Sequence, residues 1–383
     1  MKNYSYSAHL FTQKKNFAEG IEELLRRSQD IEGVLMRITI FGECADDEEY
    51  EHNANLLERR VVEMYGKNAP LVSFVTQPLL IGGSYVAEVQ AIGVEVEHKE
   101  FDGLRYIIMH GDNMKRLAVC GVRGSVADSI RKQSDDLFIK LSKLLAFEGF
   151  AVSDIFRQWN YIPKITAVDS AEYQHYQAFN DSRSEFYRAA DWSKTGYPAA
   201  TGIGMDCGAV TVDIIAVKPL NDKIKIVPID NDLQLAAHVY SQEVLIGAQG
   251  DVVEGRSTPK FERAKALGSV DESGYICFIS GTAAIRGEDS MDSDDAATQT
   301  IQTMENVEHL ISDHTCKKYG IELLSKSKEI TTARAYVKYS KDAEAIKEVV
   351  DERWPDTSVV YLLADVCREE LLVEIEAVSN IPF

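Results

Sequence analysis

The chain has 383 residues, a length that suits about two domains better than one core. Its formal net charge of −20 at pH 7 repels nucleic acid and anionic membranes, so an anionic ligand would need cationic groups confined to a pocket. No stretch approaches the ~18–20 apolar residues of a membrane span. The first residues lack the apolar run of a signal peptide. The cysteines, Cys44, Cys120, Cys207, Cys277, Cys316 and Cys367, form no CxxC pair. That argues against a zinc site or a disulfide framework and for a reducing, cytoplasmic setting.

Strand-like runs come first: VLMRITIFG (34–42), LVSFVTQPLLIGG (71–83) and YVAEVQAIGVEVEH (85–98). A strand at RLAVCGVRG (116–124) is followed by a helix over 125–150, where Ile130, Leu137, Leu141, Leu144 and Leu145 recur at helical spacing. Next come a strand at 153–165, a helix at 170–187, the segment PAATGIGM (198–205) and a strand at 209–217. The same order then returns. KIKIVPI (223–229) and LQLAAHVYS (233–241) precede a strand at 274–284, a helix at 294–314, a strand at 329–340, a helix at 342–354, and strands at 358–367 and 371–378. Repetition of this kind indicates duplication of one α/β module. We place the boundary at the polar turn Pro219–Asp222, which gives domains 1–219 and 220–383. Matching the last strands, Val212–Ala216 with Val373–Ala377, sets Asp213 against Glu374. The acidic run 288–295 reads as a helix N-terminus, with Ser293 as a cap.

Strand–SGT–helix–strand–helix–strand–VEIEA resembles the Rid superfamily of imine deaminases. PAAT at Pro198–Thr201 stands where that family has PARS, and the arginine that holds the substrate carboxylate there is missing. A closer resemblance is to the chorismatases, which carry two Rid-like domains. It rests on RQWNYIP (Arg157–Pro163), YQAFNDSR (Tyr176–Arg183), PAATGIG (Pro198–Gly204), FERA (Phe261–Ala264), FISGTAAI (Phe278–Ile285) and ADVCREELLVEIEA (Ala364–Ala377). These motifs occur in the family's order. Departures are Glu288 and Asp292, where histidines are expected, and the weakly basic HVYSQEV before FERA. The resemblance implies an α/β fold of two Rid-like domains, each a mixed β-sheet packed with helices. It further implies release of pyruvate from chorismate, to a hydroxybenzoate (3-hydroxybenzoate favoured) or a dihydroxycyclohexadiene carboxylate. The alternatives are a Rid-type imine or enamine deaminase and a non-catalytic metabolite-binding protein.

Removing pyruvate from chorismate requires protonating the terminal methylene of an enol ether. A carboxyl group kept protonated by burial suits that step. Glu374, on an otherwise apolar strand, is the candidate acid, whereas alternation alone would make both Glu374 and Glu376 exposed strand residues. The family places a product-determining cysteine at Cys367. Carboxylate binding falls to Arg256, Arg263, Lys338, Arg157 and Arg183. Ser280, Gly281 and Thr282 form a small-residue turn with backbone N–H groups open to an anion. Asn160 and Tyr187 are candidates for a ring hydroxyl, while Tyr173, Tyr176 and Phe179 suit the core. Nothing in the sequence calls for a metal or an organic cofactor. The expected partner is the small anionic substrate alone, with no nucleic acid or membrane, in a monomer or a homotrimer.

Overall fold

The structure, a computed structural model, describes residues 5–169, 173–243, 245, 256–269, 274–321 and 329–382. The expected helix start at 170–172 and Val244 of the FERA-preceding segment lie outside these.

The first sheet is built from β1 (Ser5–Thr12), α1 (Phe17–Ser28), β2 (Val34–Gly42), α2 (Asp47–Tyr65), β3 (Leu71–Val75) and β4 (Tyr85–Ile92). The second follows with β5 (Val96–Phe101), β6 (Leu104–His110), β7 (Met114–Arg123), α3 (Ile130–Phe147), β8 (Ile155–Pro163), α4 (His175–Arg188), β9 (Ala199–Met205) and β10 (Thr211–Pro219). The third opens with β11 (Ile224–Ile229), β12 (Ala264–Ser269), β13 (Gly274–Ala283) and a small ribbon, β14 (Ile285–Arg286) and β15 (Asp289–Ser290). It closes with α5 (Ala296–Leu310), α6 (Asp313–Lys318), β16 (Glu329–Val337), α7 (Ala343–Arg353), β17 (Ser358–Leu363) and β18 (Val373–Pro382).

The α/β expectation of mixed sheets packed with helices is met, and the repeat goes further than the sequence suggested. The order β7-β10-β8-β9 recurs as β13-β18-β16-β17, and the first sheet has it too, as β1-β4-β2-β3. In each, the first three strands listed pair antiparallel and the last pair is parallel. The early strands hid this third copy because their side chains share no motif with the other two.

Each sheet buries one face under its own helices. Leu24, Leu57 and Val61 cover the first, Leu137, Leu141 and Phe179 the second, Met304, Ile346 and Val350 the third. The opposite faces meet in one shared core that draws Phe41 and Val86, Trp159 and Ile203, and Phe278 and Leu362 from the three sheets. Helix starts follow their capping residues: Asn16, Asp46, Ser129 and Asp295 each accept the backbone N–H three residues on. For α5 the cap is thus Asp295. Ser293, the expected cap, instead accepts the N–H of Asp295.

Within the shared core runs a chain of buried ions across all three sheets. Arg37 reaches Asp213 (3.4 Å) and Glu88 (2.9 Å), Arg334 reaches Glu88 (2.6 Å) and Glu376 (2.9 Å), and Arg157 reaches Glu376 (2.6 Å). Trp159 lies beneath Arg37 and Arg157, its ring centre 3.9 and 4.6 Å from the guanidinium carbons. Burial opposes the charge on Glu88, yet Arg334, His9 and Arg37 outweigh it and hold the carboxyl well below its usual range.

Candidate active site

Strand β18 carries the central group. Successive side chains alternate, so Ile375 and Ala377 enter the helix-covered core while Glu374 and Glu376 share the opposite face. Both glutamates are 5% exposed, which corrects the exposed pattern that alternation alone implied. The third sheet buries both faces, so period two does not separate water from core here.

A cavity opens beside Glu374 between the second and third sheets. From the second come Tyr176, Gln177 and Asn180 at the start of α4, with Ala200 and Gly202 of β9. From the third come Arg263, Gly281 and Ala283. The segment between β17 and β18 supplies Cys367, Arg368 and Leu371, and Tyr240 and Phe261 close another wall. The backbone meets Glu374 closely at Gly281: a Cβ there would overlap Oε1.

No described residue hydrogen-bonds the Glu374 carboxyl. Burial, and then the charge of Glu376, push its pKa up to about 8, with Arg263 and Arg157 offsetting part of the rise. At neutral pH it is a carboxylic acid facing a cavity. Cys367 is half-buried on the same wall, and burial followed by the nearby Glu374 pushes its thiol up to about 12. It is a neutral thiol rather than a nucleophilic thiolate.

Cations stand across from the acid. Arg263 donates to the Leu235 carbonyl (2.7 Å) and the Tyr240 hydroxyl (2.6 Å), while its buried Nε has no partner among the described residues. Arg368 is anchored on the Glu288 carbonyl (2.8 Å) and Ser290 Oγ (3.1 Å), with its guanidinium carbon 5.3 Å from the Tyr240 ring centre. Glu288, one of the departures from the family pattern, accepts the Ser241 N–H (2.8 Å) and so ties down the segment carrying Tyr240.

The structure therefore gathers Glu374, Cys367, Arg263 and Gly281 of the sequence candidates around one cavity. Arg157 lies behind it, on Glu376 and Thr201. Arg183 is one layer back, donating to Asn180 Oδ1 (2.6 Å), and Asn160 donates to the Thr201 carbonyl (2.9 Å). Tyr187 sits in an aromatic cluster with Phe186, Trp192 and Tyr197 and donates to Gln158. Arg256 donates to the Gln242 carbonyl, and Lys338 to that of Glu369, both away from the cavity. Ser280, Gly281 and Thr282 lie inside β13 rather than on a turn. The N–H of Ser280 goes to the Arg263 carbonyl and that of Gly281 to Thr201 Oγ1. Sequence reasoning missed Arg368 and Tyr240 in the cavity wall and set Tyr176 in the core. Arg368 was within reach, since it follows Cys367 in the same motif. Tyr240 comes from a segment with no distinguishing pattern.

The paired halves also align differently from the sequence match. A bulge sets Asp213 opposite both Cys120 and Gly121, between the pairs Val212–Val122 and Ile214–Val119. A matching bulge sets Glu376 opposite Ser280 and Gly281, between Ile375–Thr282 and Ala377–Ile279. Asp213 is thus equivalent to Glu376, and Thr211 takes the place of Glu374. Between the first and second sheets the Tyr50 hydroxyl lies 3.0 Å from Thr211 Oγ1.

Comparison with known proteins follows this geometry. Residues 88–216 match the family model for the FkbO/Hyg5-like chorismatase N-terminal domain. A 3-hydroxybenzoate synthase of Streptomyces hygroscopicus is 30% identical over 295 residues, covering 76% of this chain and 81% of that protein. The chain belongs to the chorismatase family. A chorismatase of Streptomyces rapamycinicus is 28% identical over 58% of this chain and 63% of that protein. A crystal structure of a chorismatase, solved at 1.08 Å resolution, superposes with a TM-score of 0.74 at 21% identity, over 98% of each chain, and shares the fold. The protein is an enzyme of chorismatase type. No helix among the described residues is long and apolar enough to cross a membrane.

Proposed function

We propose that this enzyme releases pyruvate from chorismate, with Glu374 as the general acid and 3-hydroxybenzoate as the favoured ring product. The observation that carries the reading is a buried carboxyl group without a hydrogen-bond partner among the described residues, at a cavity wall that also holds Arg263 and Arg368; burial pushes its pKa up to about 8. Protonating carbon demands an acid still protonated at working pH and open to the substrate, and a Glu374 carboxyl raised to about 8 on the cavity wall suits that task. The two guanidinium groups suit a dianion, and each is braced by protein carbonyls so that its remaining donors stay fixed.

In the reaction, the carboxyl proton of Glu374 adds to the enol ether methylene and leaves an oxocarbenium ion. Oxygen attacks that cation, and the adduct collapses by cleavage of the bond between the former enol carbon and the ether oxygen, so that pyruvate departs and the ether oxygen stays on the ring. If water attacks, it is consumed and a dihydroxycyclohexadiene carboxylate remains. If the substrate's own ring hydroxyl attacks, no water is consumed: the bond from that oxygen to the ring breaks, a ring proton is lost to restore the acid, and the ring aromatises to a hydroxybenzoate as pyruvate leaves the other oxygen. Cys367, neutral and bulky on the cavity wall, favours the second route by excluding water. Arg157, Arg183, Asn160 and Tyr187 would support the walls rather than touch substrate. The imine deaminase alternative lacks its arginine, since Ala200 lines the cavity at that place in PAAT.

The three sheets share one core within a single chain, which favours the monomer over the homotrimer, with the division at 219/220 separating the first two sheets from the third. Light scattering behind a sizing column tests the monomer. The function is tested by following pyruvate with a coupled dehydrogenase on adding chorismate. Absence of pyruvate above the uncatalysed rate would reject the reading.

A further inference from the structure

Two carboxyl groups stand two residues apart on one face of β18 and are treated oppositely. Glu376 accepts from four donors. They are Arg157 (2.6 Å), Arg334 (2.9 Å), the Trp159 indole (3.0 Å) and the Thr201 hydroxyl. Every contact is a donor, as a carboxylate requires. Glu374 has none. Three of the four donors to Glu376 come from the second sheet, although Glu376 itself belongs to the third. Thr201 also accepts the Gly281 N–H (3.0 Å), and Gly281 is the residue against which Glu374 rests.

Resting on the chorismatase reading of this site, we propose that Glu376 is a positioning residue: a fixed negative charge, set from the neighbouring sheet, that keeps the Glu374 carboxyl protonated between turnovers. Two like charges this close on one strand face do not both ionise readily. The donor set decides which one carries the charge, and it gives it to Glu376. Reprotonation of Glu374 after each proton transfer is therefore built into the sheet interface. This matches the raised pKa of Glu374, to which Glu376 contributes second after burial.

Other groups face Glu374 as well. Arg157 approaches from β8 and Arg263 from before β12, and both oppose the effect. Arg368 and Cys367 adjoin on the preceding segment, Tyr176 on α4 and Tyr240 across the cavity, while Tyr336 is its cross-strand partner on β16. Their presence makes the test one of opposite signs.

The experiment is a titration of the Glu374 carboxyl by ¹³C NMR in the substrate-free protein, alongside the pH profile of pyruvate release. E376Q is expected to lower the Glu374 midpoint, by about one pH unit or more. The alkaline fall in rate should move down with it, so that loss of rate is larger at pH 8 than at pH 6. R157Q is expected to shift the midpoint upward. The R157Q measurement stands by itself if E376Q fails to fold. Unchanged midpoints, or shifts of the same sign in both variants, would overturn the proposal and leave Glu376 a packing residue. The titration needs no turnover, so a protein inert toward chorismate but with opposite shifts would sink the substrate assignment and keep the charge relationship.

Discussion

Gly281 and Glu374 are in van der Waals competition for one space: a methyl group on residue 281 would occupy the position of Glu374 Oε1. The contact is to the tip of a side chain, so the glutamate rather than the backbone would yield. G281A is expected to keep the fold, with a cost of about 1–3 kcal/mol for overpacking. The carboxyl would turn from its aim, and misplacement near 1 Å costs on the order of 10²-fold in rate. Thermal melting and kcat together check this. A rate within twofold of wild type would show that the aim of Glu374 is not critical.

Glu374→Gln should lower pyruvate release by roughly 10²–10⁴-fold while substrate binding persists. In the wild type, the active form is the protonated one, so the rate should fall as pH rises through about 8. Stability carries the same signature. Folding raises this carboxyl from an ordinary 4.5 to about 8. The native state therefore keeps a proton that the unfolded chain has released, and stability declines as pH climbs through that window. E374Q lacks that decline, so its Tm advantage over wild type should grow from pH 5 to pH 8. A constant difference across this range would place the raised pKa elsewhere.

Cys367→Ala removes a sulfur's volume from the cavity wall beside Glu374. We expect pyruvate release to continue while product shifts from hydroxybenzoate toward the dihydroxycyclohexadiene carboxylate, because the new space admits water. Chromatography of the ring products decides the matter, and an unchanged ratio assigns Cys367 to packing alone.

Arg263→Gln and Arg368→Gln should each raise KM more than they lower kcat. A hydrogen bond to a charged group contributes about 1.5–3 kcal/mol, or roughly 10–100-fold. Arg368→Lys should recover little, since a point charge does not reproduce the fork. If KM stays constant in both glutamine variants, the substrate carboxylates bind elsewhere in the cavity.

Glu88 lies away from the cavity and joins Arg37 of its own sheet to Arg334 of the third. Glu88→Gln leaves two buried guanidinium groups short of an anion, and breaking such a pair from one side costs about 3–5 kcal/mol. Denaturant unfolding should show that loss, while KM at permissive temperature changes little. Stability unchanged by the substitution would mean that Asp213 and Glu376 suffice to neutralise the three arginines.

The local order of strands and helices was readable in the sequence, because period and capping residues are properties of neighbours in the chain. So were the motif-borne residues Glu374, Cys367, Arg263 and Gly281, each of which stands within a contiguous recognisable string. The sequence could not show the bulges, since an extra residue on β7 or β13 leaves no mark in β10 or β18, and string matching therefore set Asp213 against Glu374 rather than Glu376. Nor could it show which face of β18 was wet. Packing of the second sheet against the third buried both glutamates and supplied Glu376 alone with donors more than 150 positions away, such as Arg157 and Thr201. Sequence determined which carboxyl groups were available; tertiary structure decided which one would hold the charge and which the proton, because desolvation and donor placement arise only where the sheets meet.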